Sequence, residues 1–162
     1  MRLLTVIFLF FSTLCISQDL KELRMDYPKA NLDEAVTNTL HEELLGVTKE
    51  DNKTIVAYKG AVSTLKAKFA KGFKNKKTFF KEGAELLEFA ISSEPKNIEI
   101  RCLRLGVQEN SPRIVGYKNN IEADKQFLLD HYKSDANKEI RNFVKGYVLL
   151  SNVFTEAEKQ LF

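Results

Sequence analysis

Tryptophan is absent from this chain of 162 residues, and proline (three), glycine (seven), cysteine and histidine (two each) are scarce. So little proline and glycine, with no low-complexity run, excludes a disordered chain. The two histidines, His41 and His131, stand far apart, with no metal-ligand pattern around either. "HEELL" at His41 opens like the helix of a zinc peptidase, but Leu45 stands where the second histidine belongs. Neither a glycine-rich phosphate loop nor a serine elbow occurs. The carboxylate pairs Asp33–Glu34 and Glu42–Glu43 fit an ordinary helix surface. No catalytic residue, metal or cofactor is expected here, and the chain reads as a binder rather than an enzyme.

Only one apolar run approaches membrane length, and it comes first. Arg2 precedes "LLTVIFLFFSTLCI", about fourteen residues, short of the ~20 that a spanning helix needs. The small residue Ser17 then meets the polar "QDLKEL". This is the pattern of a secretory leader, residues 1–17, cleaved between Ser17 and Gln18. A lipoprotein signal ending at Cys15 would need a small residue before the cysteine, and Leu14 occupies that place. The expectation is a periplasmic or secreted protein with no transmembrane span. Loss of the leader leaves Cys102 alone, so no intramolecular disulfide forms although the compartment permits one. Residues 18–162 make one domain by length, long enough to bury its own core.

From Asp19 onward apolar residues recur at helical spacing. Leu20, Leu23 and Tyr27 predict a short first helix ended by Pro28. Asn31 and Glu34 read as a capping box opening a second helix to about Leu45, where Gly46 stops it. A third, over about 53–70, carries Ile55, Tyr58, Val62, Leu65 and Phe69 on one stripe. "KGFKNKK" reads as a turn, and a fourth helix follows over about 78–92. "NSPRIVGYKNN" reads as a loop with a helical turn after Pro112, and Asn119 with Glu122 as a capping box before a helix to about Tyr132. A helix over about 136–150 and a short closing one complete an all-α chain.

One stretch resists this reading. In "NIEIRCLRLG", from Asn97 to Gly106, Ile98, Ile100 and Cys102 alternate as in a strand, while Ile100, Leu103 and Val107 are spaced for a helix. A copy forty residues later, "NKEIRNFVKG" at Asn137 to Gly146, matches it in asparagine, glutamate, isoleucine, arginine and glycine. There Phe143, Val144 and Tyr147 extend only the helical stripe, so both copies are helices, capped by Asn97 and Asn137. Gly106 and Gly146 each cost about 1 kcal/mol inside a helix, and close approach of a neighbouring helix is the expected compensation. A weaker third copy places Asn52, Ile55, Tyr58 and Ala61 under Asn97, Ile100, Leu103 and Gly106. A period near forty with two helices per unit predicts about three irregular antiparallel helix hairpins stacked as an α-solenoid.

Gly83, Leu87, Ala90 and Pro95 carry the small, large, small, proline spacing that closes a tetratricopeptide repeat, and residues 50–150 resemble that family. Residues 123–135 depart from the pattern, with Asp130 and Asp135 in place of the small residue and the proline, and Arg104 sits where a small residue is usual. The whole chain is similar to small helical proteins exported by Gram-negative bacteria. The tetratricopeptide resemblance implies a groove that holds a peptide or protein of the envelope.

Charge is uneven: residues 52–81 hold nine lysines and no acid, and residues 19–51 hold nine acids against four bases. A solvated face, or one paired with the preceding acidic helix, is the expected use of these lysines. The alternative is that Lys66, Lys68, Lys71, Lys74, Lys76 and Lys77 meet an anionic small molecule, lipid or glycan, or make weak contact with an anionic membrane surface. Nucleic acid is not expected, because the nearby Phe69, Phe73, Phe79 and Phe80 suit a core better than a base-stacking platform. For Arg101 and Arg141, repeated at one position, two readings compete. With Gln108 and Lys145 they form a ladder for carboxylates of a partner chain, or each serves its own unit through an internal ion pair.

Overall fold

A computed structural model describes residues 20–162, so the leader assigned to residues 1–17 lies outside the described residues. The chain is all-α, with no strand among the described residues. Its helices are α1 (Leu20–Ala30), α2 (Glu34–Glu43), α3 (Lys53–Phe69), α4 (Phe73–Ser93), α5 (Ile98–Asn110), α6 (Ile121–His131), α7 (Lys138–Leu150) and α8 (Glu156–Lys159). Single 3-10 turns at Arg113–Val115 and Tyr132–Ser134 flank α6. None of these helices is long and apolar enough to cross a membrane.

Several boundaries differ from expectation for identifiable reasons. Pro28 does not end α1 but sits inside its last turns. Asp33, not Asn31, caps α2, accepting from the amides of Ala35 and Val36. α2 gives way at Leu44 in right-handed geometry, before Gly46 is reached. "KGFKNKK" is a turn only at Gly72, whose φ of 79° demands glycine. From Phe73 the chain is already helical, so Lys74, Lys76 and Lys77 ride on α4. At α6 the cap position belongs to Asn120 rather than Asn119, and no side-chain capping bond forms there. Instead Gln108 Oε1 accepts from the Asn120 amide at 3.2 Å.

α3 is the central element, touching α1, α2, α4 and α5. Its expected stripe is correct only in part. Ile55, Leu65 and Phe69 are half-buried, whereas Val56, Ala57 and Ala61 are fully buried. A helix enclosed on most sides has no single core face. α3 and α4 form the most extensive pair, because Gly60 and Gly83 meet where they cross. A Cβ on Gly60 would lie 2.7 Å from the Gly83 carbonyl oxygen, and one on Gly83 2.5 Å from the Gly60 oxygen.

α5 separates two apolar clusters and feeds both. Ile100, Leu103 and Val107 join Tyr58, Val62 and Leu87 on one side. Ile98, Cys102 and Leu105 join Leu128, Val144 and Val148 on the other. Two helical stripes, offset by two residues, therefore produce the strand-like alternation of "IEIRC".

Candidate binding groove

Four of the five residues matched between Asn97–Gly106 and Asn137–Gly146 are used inside the molecule. Asn97 and Asn137 cap α5 and α7, each accepting from the amides two and three residues on. Glu99 and Glu139 are both held by Arg24 of α1. Arg24 grips Glu99 through two bonds of 2.8 Å and reaches Glu139 at 3.2 Å. Tyr58 donates a third bond to Glu99 at 2.8 Å, and Glu99 is 1% exposed. The bonds to Glu99 raise the Arg24 pKa further above its ordinary value. Ile100 is fully buried, and Ile140 half-buried.

The repeated arginines close the turn before each helix. Arg101 Nε donates to the Pro95 carbonyl at 2.9 Å, and Arg141 Nη1 donates to the equivalent carbonyl, that of Asp135. Arg101 also bonds Asp124 at 2.8 Å. Arg104 grips the fully buried Asp124 with bonds of 2.7 and 2.8 Å and reaches Glu88 at 2.9 Å. Burial works against the Arg104 charge, but Asp124 and Glu88 outweigh it and hold the guanidinium above its usual pKa. Gln108 is fully buried, and its Nε2 donates to Asn120 at 3.3 Å. Lys145 is exposed and donates to the Phe162 carbonyl at 3.0 Å.

A groove does exist, but Arg101, Gln108, Arg141 and Lys145 do not line it. It is open and about 1870 Å³ in volume, and α1, α3, α4, α5 and α7 line it, each with residues at helical spacing. α1 contributes Lys21, Arg24, Met25 and Pro28, and α5 contributes Leu103, Gly106, Val107 and Asn110. α7 contributes Phe143, Gly146, Tyr147 and Leu150, the α5 set shifted by forty residues. α3 gives Thr64, Leu65 and Lys68 from its C-terminal end. α4 forms a wall through Phe73, Lys76, Lys77, Phe80, Lys81 and Ala84. The segment after Pro112 closes another side with Ile114, Val115 and Tyr117.

Exposure in this groove is unusual. Met25, Phe73, Ile114, Val115 and Leu150 are all exposed apolar side chains, with Ile114 at 88% and Leu150 at 84%. They come from four separate elements yet face one depression. Its acids are engaged internally. Glu88 takes bonds from Arg104 and Tyr117, while Glu109 takes bonds from Tyr147, Ser151 and the Asn152 amide at 2.7–2.8 Å.

The lysines expected to form an anionic-partner face divide. Lys66 bonds Asn38, and Lys68 bonds the Asn31 carbonyl at 2.6 Å. Lys59 likewise bonds the carbonyls of Leu45 and Val47 at the end of α2. The α3 lysines thus meet amide and carbonyl oxygens. Lys71, Lys74, Lys76 and Lys77 are exposed, and Lys68, Lys76 and Lys77 line the groove.

Cys102 is buried and unpaired, and burial, with the charges of Glu99 and Asp124, pushes its thiol pKa up. It is suited to packing rather than attack. No group of histidines, cysteines and acids among the described residues is placed to hold a metal ion. Comparison of the chain with protein-family models, curated proteins and solved structures found no match.

Proposed function

We propose that this protein is a non-catalytic binding module of the cell envelope, exported by its leader and built of tetratricopeptide-like hairpins. In this reading it holds a segment of an envelope or secreted protein in the groove between α1, α4 and α7. The observation that carries the proposal is the convergence of Met25, Phe73, Ile114, Val115 and Leu150 on one depression. Clustered exposed apolar surface of this kind marks an interaction site, because covering it returns about 25 cal/mol per Å². Burial of Gly83, Leu87 and Ala90 at the α3–α4 crossing supports the hairpin reading. The leader pattern at 1–17 supports export.

The alternative, an anionic small molecule, lipid or glycan, draws on the lysines of α4. Size favours a polypeptide: small-molecule sites run to roughly 300–1,000 Å³, and this groove holds about 1870 Å³. The test is selection from a random peptide display library, with counter-selection on a Phe73→Ser, Ile114→Ser, Leu150→Ser variant. Enriched peptides should bind the native protein and lose the variant. Peptides that hold both equally well would place binding elsewhere and sink the groove.

A further inference from the structure

Of the five residues repeated between α5 and α7, glycine is the one whose second copy does nothing for the fold. No atom lies within 4 Å of where a Cβ on Gly146 would stand, and Gly106 meets only the Tyr147 ring, at 3.4 Å. The neighbouring helix expected to compensate these glycines is absent at Gly146. Each still costs about 1 kcal/mol of helix stability relative to alanine. Both line the groove, at equivalent places on α5 and α7. A bare helix backbone in an open groove allows an occupant to approach more closely than any side chain would permit.

Positive charge outnumbers negative in the groove, where seven lysine and arginine side chains stand against four glutamates. Glu88, Glu109 and Glu139 are already engaged by internal donors. Glu85 pairs with Lys81 at 3.7 Å. Lys76 and Lys77 are exposed on the same wall, and among the described residues no ion pair joins them to an acid. The exposed apolar groups Phe73, Ile114 and Leu150 line the same groove as these lysines and glycines.

We infer that Gly106 and Gly146 are the seat of the groove, and that its occupant is an amphipathic, acidic segment of a partner protein. The apolar side of that segment packs over the two glycines, between Phe73, Ile114 and Leu150, and its carboxylates meet Lys76 and Lys77. The inference rests on the peptide-binding reading above and deepens it by naming the occupant's chemistry and the seat. Gly146 is a contact position that the fold does not need: an added side chain enters empty space and takes it from the ligand.

The probe is a labelled synthetic peptide of alternating leucine and glutamate faces, with a lysine-for-glutamate version as control, read by fluorescence anisotropy. The acidic peptide should bind and the basic one should not. Gly146→Leu should weaken binding about tenfold or more while thermal stability is unchanged or raised. Lys76→Glu with Lys77→Glu, a surface change, should weaken it similarly and restore binding of the basic peptide. Equal binding of both peptides overturns the charge assignment. Undiminished binding by a folded Gly146→Leu protein overturns the seat but leaves the groove reading standing. Failure of both peptides overturns the inference, while the display selection decides the groove reading separately. A concentration-dependent dimer abolished by Gly146→Leu makes a second copy the occupant, and uptake by anionic vesicles in place of peptide makes it a lipid surface; either result overturns the proposal.

Discussion

Replacing Gly60 with alanine sets two effects of opposite sign against each other. Alanine favours a helix over glycine by about 1 kcal/mol, so in open space the change stabilises. At Gly60 the new Cβ would stand 2.7 Å from the Gly83 oxygen and 3.0 Å from the Leu87 nitrogen, and both neighbours are backbone. Ordinary contact begins near 3.4 Å, so α3 and α4 must part by roughly 0.7 Å, and overpacking of this kind costs about 1–3 kcal/mol. The parting also loosens Tyr58, Val62, Leu87 and Ala90 around the crossing. The net expectation for Gly60→Ala is a destabilisation of up to about 2 kcal/mol, and more for Gly83→Ala, whose Cβ meets the Gly60 oxygen at 2.5 Å and Thr64 at 2.7 Å. Once one Cβ has separated the helices the second finds room, so the double variant should cost less than the sum. Urea unfolding followed by circular dichroism gives the three values. A Gly60→Ala protein about 1 kcal/mol more stable than native, the full helix gain, would refute the close crossing, and strict additivity would refute the shared cause.

Three further outcomes follow from the buried charges and the histidine. Asp124→Ala leaves the guanidinium of Arg104 buried without its principal acceptor, so denaturant unfolding should show a loss of about 3–5 kcal/mol; a loss under ~1 kcal/mol would contradict the geometry. Glu99→Gln removes the charge held by Arg24 and turns one of the two oxygens that accept from it into a donor, and should cost at least about 2 kcal/mol, whereas Glu139→Gln, at the exposed partner, should cost under ~1 kcal/mol. His41 has its pKa lowered from 6.5, first by burial and then by Lys66, with Glu42, Lys59 and Glu82 also facing it and Nδ1 lacking a hydrogen-bond partner. A lowered folded-state pKa makes its contribution complete above 6.5 and lost as pH falls through the folded value. Native stability should therefore fall on acidification below neutrality more steeply than that of His41→Leu, and parallel pH profiles would refute the assignment.

Helix content and most element identities were legible because apolar spacing of 3.6 is local information. Asn97 and Asn137 could be named as caps from sequence for the same reason: the bond each makes lies within three residues. Asp33 caps α2 through bonds just as short in sequence, but Asn31 with Glu34 offers a competing box, and the start of α4 at Phe73 follows the positive φ of the adjacent Gly72. α3 was assigned one core face because periodicity cannot report how many neighbours enclose a helix.

The forty-residue repeat was visible in the sequence, but its meaning was not. Identity at Arg101 and Arg141 drew attention because arginine carries charge, yet the carbonyls of Pro95 and Asp135 that they close upon become partners only through the turn. Gly106 and Gly146 looked like packing contacts. The groove was not readable at all, since Met25, Phe73, Ile114 and Leu150 lie on four elements and resemble ordinary core residues in sequence. By itself the sequence determined that the chain is helical, where most helices run and which residues recur. Tertiary structure alone decided which apolar and charged groups remain uncovered, because exposure depends on what other segments bring alongside, and no local pattern records that.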